Sequence, residues 1–96
     1  MFKMTIEDVF VIKRRGVVAT GIVESGTLRV GDTVHVNGGP AVTVDAIEKF
    51  RKPLDEASTG ENVGVLIKDI KMEQLKRGDV LTSSSSSASY GEAPPI

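Results

Sequence analysis

An all-β fold, a small antiparallel barrel, is what this sequence predicts, and three observations carry the reading. Valine, isoleucine and threonine dominate residues 1–82, glycine recurs at turn-like intervals, and apolar and polar residues alternate in short runs. Branched side chains suit a pleated, half-buried surface, and short strands at this spacing mark sandwiches and barrels.

The elements follow in order. Met4 to Ile12 reads as the first strand, and Lys13-Arg14-Arg15-Gly16 as a turn, since Gly16 can take the positive φ many hairpins need. Val17 to Glu24 forms the second strand and stops at Ser25-Gly26. Leu28 to Asp32 is a short extended piece closed by a Gly-Asp turn, and the third strand, Thr33 to Asn37, ends at Gly38-Gly39-Pro40. The fourth strand starts in phase at Val42 and Val44 and then loses it. Ile47 and Phe50 are three apart, which a flat strand places on opposite faces, so a bulge or barrel corner is expected between Val44 and Phe50. Lys52 to Glu61 reads as a polar loop, Val63 to Ile67 as a central strand, Met72 to Leu75 as one helical turn, and Asp79 to Thr82 as a closing strand. From Ser83 the composition turns to serine and proline. Residues 83–96 are expected to form a disordered, flexible tail, because such a segment buries too little apolar surface to offset its ordering entropy.

Ninety-six residues suffice for one domain with one modest core, burying roughly 60–65% of the unfolded surface. The absence of cysteine excludes disulfides and thiolate metal sites, and is compatible with a cytoplasmic location. No apolar run approaches a membrane span, and no secretory signal pattern opens the chain. A net charge of −1 gives no global attraction for nucleic acid, so any RNA contact must be local and DNA is not an expected partner. With 4% aromatic residues, a sheet that stacks several bases is not expected either.

Little here suits catalysis. There is no GxxxxGK[ST] phosphate loop and no GxSxG elbow, and the single histidine, His35, cannot supply a multi-imidazole metal site. His35 lies between Val34 and Val36, so alternation turns it away from the valine face. Glu7 and Asp8 are neighbours on a strand and face opposite ways, which prevents them from sharing a proton. Neither an enzyme activity, a metal nor a cofactor is expected.

The most informative segment is EKFRKPLDEASTGENVG, Glu48 to Gly64. It joins an alternating strand to an apolar one and has the look of a binding rim. Read from the residues alone, Glu48 and Arg51 suit either a ligand site or solvated strand charges, with Arg51 beside Asp55 or Glu56. Ile12, Val18 and Leu66 suit either a pocket wall or the core. Phe10 and Phe50 are residues a core usually claims, and Asn62 and Gly64 suit the re-entry of a loop into the sheet.

Taken in order, IEDVF (6–10), RGVVATG (15–21), FRKPLDEASTGENVGVLIKDI (50–70) and KRGDVL (76–81) resemble the second domain of elongation factor Tu and related translational GTPases. The resemblance covers about Thr5 to Leu81. It implies a six-stranded antiparallel Greek-key barrel that helps hold the aminoacylated 3′ end of transfer RNA. By resemblance, Glu48 would meet the terminal ribose hydroxyl, Ile12, Val18 and Leu66 would line the adenine pocket, and Arg51 would lie near the ester. Asn62 would offer a backbone carbonyl to the α-amino group, and Glu7, Asp8, Phe10 and Thr20 would border the amino-acid side chain. Arg14 and Arg15 are candidates for phosphate contact.

Departures from the family pattern are Arg14 where a glycine is usual, Lys49 where methionine or histidine is frequent, and a short connection at Asn37 to Pro40. Neither the GTPase domain nor the third barrel occurs within these residues, so an aminoacyl end would find half of its walls here. Two classes of partner are therefore expected: the aminoacyl-tRNA 3′ end or another RNA, and, for a protein-interaction module, a GTPase domain or a ribosomal protein.

Overall fold

In the computed structural model of the chain, residues 1–83 are described; the rest of the expected tail, 84–96, lies outside the described residues. Eleven strand segments and one 3₁₀ turn make up the fold: β1 (Lys3–Thr5), β2 (Asp8–Ile12), β3 (Gly16–Ser25), β4 (Thr27–Arg29), β5 (Thr33–Val36), β6 (Ala41–Thr43), β7 (Ala46–Lys49), β8 (Lys52–Leu54), β9 (Glu56–Ser58), β10 (Asn62–Ile67), η1 (Met72–Gln74) and β11 (Val80–Thr82). All pairings are antiparallel. The main sheet runs β6-β5-β11-β1-β3-β10-β7-β8, with β2 added to β3, and β4 and β9 form a separate ribbon.

The ten-residue strand β3 organises the curl. Its first half pairs with β2 (Asp8↔Thr20 through Ile12↔Gly16), its far end pairs with β1, and β10 lies along its other side. The inner face of this curled sheet carries Met4, Val23, Ile47, Val65, Ile67 and Leu81, all fully buried. Leu28 and Ala57, from the β4–β9 ribbon, complete the same cluster. Each large aliphatic side chain buried this way contributes about 1.5–3 kcal/mol relative to exposure.

The structure corrects the expected elements in three places. First, Met4 to Ile12 is two strands. Buried Ile6 exchanges backbone hydrogen bonds with Asp79 and Gly78, while the Glu7 N–H donates to the Thr20 carbonyl. The chain thus passes from β11's side of the sheet to β2's place beside β3. Second, Lys52 to Glu61 is not a loop: it holds β8 and β9, tied to β7 and β4. Its polar residues face solvent on strands covered on one side only, and Pro53 is tolerated because β8 is an edge. Third, neither Phe10 nor Phe50 is in the core; they are 49% and 87% exposed.

The loss of phase after Val44 has the expected cause, a corner. β6 pairs with β5, the chain turns at Val44-Asp45, and β7 pairs with β10 in the other half of the sheet. The Val44 and Asp45 N–H groups donate to Asp32 and Leu66 carbonyls, which pins the corner. The helical turn falls at Met72–Gln74, where expected, and the closing strand at β11. Ser83, the first residue of the serine run, exchanges hydrogen bonds with Phe2.

Candidate functional site

On the outer face of the sheet, where β2, β3, β10 and β7 lie side by side, a cleft of about 560 Å³ opens. Register explains its floor. Phe10 stands opposite Val18, Val18 opposite Leu66, Thr20 opposite Gly64, and Gly64 opposite Glu48. Direct cross-strand partners share a face, so these residues form two adjacent rows on one face, Phe10-Val18-Leu66 and Thr20-Gly64-Glu48, which together span four strands. Gly64 has only a hydrogen in the second row, between Thr20 and Glu48. A Cβ there would sit 3.1 Å from Val18 Cγ1 and 3.8 Å from Thr20 Cγ2, so the missing side chain is what hollows the floor.

Phe10, Ile12, Val18, Thr20, Glu48, Arg51 and Asn62 line this cleft together with Lys49, Phe50, Val63 and Gly64. Leu66 shares that face opposite Val18 but is buried, outside both the lining and the core cluster. Glu7 and Asp8 are not in the lining. The Asp8 carboxylate accepts from the Val9 N–H and lies 3.6 Å from Arg77 Nη2. Seven of the ten residues singled out for a 3′-end site are thus brought around one cleft. Lys49 and Phe50 were not singled out as site residues; the signal was their position directly between Glu48 and Arg51.

The rim is made by the hairpin joining β7 to β8. Lys49 pairs with Lys52, leaving a two-residue tip of Phe50 and Arg51, with φ of 54° and 64°. Two left-handed residues in a two-residue hairpin are the geometry of the tight type I′ turn, where Asn-Gly is the favoured pair. Each non-glycine residue held left-handed costs about 1–2 kcal/mol. Strain of this kind collects at sites that need a side chain held in place. Here it presents an aromatic ring and a guanidinium at the mouth of an apolar cleft. Glu48 is half-exposed and 4.0 Å from Arg15 Nη2, a loose pair. Arg51 has no carboxylate within ion-pair distance among the described residues; the expected neighbour Glu56 pairs with Arg29 at 3.3 Å.

A second, shallower groove of about 600 Å³ adjoins the cleft through Ile12 and Arg15. Arg14, Arg15, Lys68 and Lys71 line it, with Val11, Ile70 and Met72. Gly16 brings these cations together: a Cβ there would lie 2.7 Å from the Ile67 carbonyl oxygen and 3.1 Å from Lys68 Cα. The basic turn therefore packs directly on the chain leaving β10. Lys68 and Lys71 were not singled out as site residues, since only the fold sets them beside residues 14–15. Among the described residues no group of three His, Asp or Glu could hold a metal ion, and no helix is long and apolar enough to cross a membrane. His35 lies half-buried between Val34 and Val36, its Nδ1 3.0 Å from the Gly39 carbonyl.

The described residues thus form an all-β domain, a curled antiparallel sheet with an open cleft of mixed apolar and charged lining. The family described as elongation factor Tu domain 2 matches residues 16–82, and this chain belongs to it. Among solved structures, the chain is similar to a bacterial selenocysteine-specific elongation factor, EF-Sec, with a TM-score of 0.79 at 23% identity. That likeness is one of fold. It covers 85% of this chain and 14% of the other, so the chain corresponds to a small part of that protein's length.

Proposed function

We propose that this domain is a non-catalytic translation-factor module whose cleft holds the aminoacylated 3′ end of a transfer RNA. The observation that carries the reading is the convergence of Glu48, Arg51 and Asn62 around apolar walls of Phe10, Ile12 and Val18. A carboxylate accepts from a 2′-hydroxyl, the group that separates RNA from DNA. Apolar walls hold an unstacked base, and a guanidinium supplies directional donors to ester or phosphate oxygens. Asn62 stands past Gly64, the last β10 residue paired with β7, so its β7 side faces the cleft rather than a ladder. The volume falls within the range of small-ligand sites. Arg14 and Arg15, with Lys68 and Lys71, are in a position to meet phosphates of the same RNA. This work belongs to the cytosol.

A second reading has an observation of its own. Val11 and Met72, about half exposed, flank the basic groove and offer apolar contact to a GTPase domain or a ribosomal protein.

Amide-shift NMR with a short acceptor-stem RNA, aminoacylated and uncharged, separates these readings. Shifts centred on Glu48, Arg51 and Asn62 that require the aminoacyl group are expected. Salt-sensitive shifts confined to Arg14, Arg15, Lys68 and Lys71 would reduce the RNA reading to electrostatic attraction. No shifts with either RNA would leave the protein-partner reading.

A further inference from the structure

Backbone pairing between β7 and β10 stops at Glu48↔Gly64, yet the cleft continues past that point, between Lys49-Phe50-Arg51 on one side and Asn62-Val63 on the other. What spans the unpaired ends is a side-chain contact. Lys49 Nζ lies 3.2 Å from Glu61 Oε2, and both side chains are 32% exposed, making this the most enclosed of the ion pairs among the described residues.

Glu61 is itself held firmly. Its Oε1 accepts from the Ser58 N–H at 2.7 Å, its N–H donates to the Ser58 carbonyl, and its carbonyl accepts from Val23 N–H on β3. Lys49 in turn reaches over its neighbour, with Nζ 5.8 Å from the centroid of the Phe50 ring. The ammonium therefore stands between a fixed carboxylate and the aromatic of the strained tip. A cation near a ring face is attracted by the ring quadrupole. The two contacts pull the same way.

We propose that Lys49 and Glu61 are a positioning pair, a clasp that holds the left-handed Phe50–Arg51 tip over the cleft and fixes the spacing between Arg51 and Asn62. The clasp also neutralises Lys49, leaving Arg51 as the unpaired cation of the rim. Its ligand-facing half rests on the reading of the cleft as a 3′-end site; its structural half does not.

The test uses Lys49→Met, which keeps an unbranched stem but loses the charge, and Glu61→Gln, which can still accept from Ser58. Lys49→Arg is the conservative rescue. Amide shifts and ¹⁵N relaxation report on the tip without any ligand. Phe50 and Arg51 are expected to gain fast mobility in K49M and E61Q, to recover in K49R, and to change no further in the double variant, as coupled sites do. Melting curves check that each variant remains folded. Affinity for an aminoacylated acceptor-stem RNA is expected to fall about twofold to fivefold in each single variant, the range a partly exposed ion pair supports. Unchanged shifts and relaxation at Phe50, Arg51 and Asn62 in both single variants would overturn the clasp. A loosened tip in a protein whose parent binds no RNA supports the clasp and overturns the 3′-end reading. A loosened tip with unaltered RNA affinity overturns the ligand-facing half.

Discussion

Gly64 of β10 stands directly opposite Glu48 of β7, and both line the cleft. Of these two partners one brings a charge to the cleft, and the other leaves room beside Val18 and Thr20. Valine would pack well at a central strand position, as it does at Val63 and Val65 on the inner face.

Gly64→Val is therefore expected to separate folding from binding. The added Cβ meets Val18 Cγ1 at a tight 3.1 Å, which a small shift of that side chain can relieve. Loss of glycine's unfolded-state freedom offsets part of the cost, so stability should change by no more than about 1 kcal/mol. Affinity for the aminoacylated RNA should drop at least tenfold, because the new side chain fills the floor. Urea unfolding alongside fluorescence-detected RNA titration measures both. A variant that binds as well as the parent would show that ligand does not enter this cleft.

The tip offers the converse trade. Replacing Phe50 and Arg51 by Asn and Gly gives the turn the residues its left-handed backbone favours. Relief of about 1 kcal/mol or more is expected, a rise of roughly 4–8 °C in melting temperature for a domain of this size. Binding should weaken at the same time, since the ring and the guanidinium leave the rim. A rise in melting temperature with full affinity would mean the strain serves no ligand.

Much of this was legible in the sequence, and the rest fails for identifiable reasons. Alternation gave β3 and β5, because each carries one clean inner face, Val17, Ala19 and Val23 in one and Val34 and Val36 in the other, while β10 was legible as a near-continuous apolar run. Periodicity cannot show a strand passing between partners, so the break at Ile6 and Glu7 was hidden inside a segment, Met4 to Ile12, that reads as one extended strand. Residues 52–58 look like a loop because only Leu54 and Ala57 point inward, and a three-residue edge strand has too few positions to alternate. Phe50 misled because hydrophobicity is normally a reason for burial, while here a turn geometry holds the ring out. The grouping of Lys68 and Lys71 with Arg14 and Arg15 depends on contact across some fifty residues of chain, which composition does not encode.

Two carboxylates give the fold a defined acid response. Glu24 has its pKa lowered, first by the hydrogen bond from the Thr5 hydroxyl and then by Lys3; Glu61 has its pKa lowered by the Ser58 N–H and then by Lys49. Each is depressed relative to the unfolded chain, so its contribution is present at neutral pH, above the unfolded value. It is lost as pH falls through the folded value. Melting temperature should accordingly fall as pH drops below the ordinary glutamate range. Carboxyl ¹³C titration should put both midpoints below that range, and Thr5→Val should raise the Glu24 midpoint alone. A Glu24 midpoint unmoved by T5V would remove the hydroxyl as the cause.

The basic groove makes a prediction that salt can read. Arg14, Lys68 and Lys71 have no ion-pair partner among the described residues, so their counterions are free to leave when phosphate arrives. If RNA lies along them, log K falls linearly with log salt, and each cation removed should lower the slope by about 0.7–0.9. Arg14→Gln, Lys68→Gln and Lys71→Gln should each weaken acceptor-stem binding at low salt and converge on the parent at high salt. The aminoacyl-dependent shifts at Glu48 and Asn62 should persist in all three, because those residues lie in the neighbouring cleft. A salt slope identical to the parent's in every variant would take phosphate off this face and leave the half-exposed Val11 and Met72 as a protein contact.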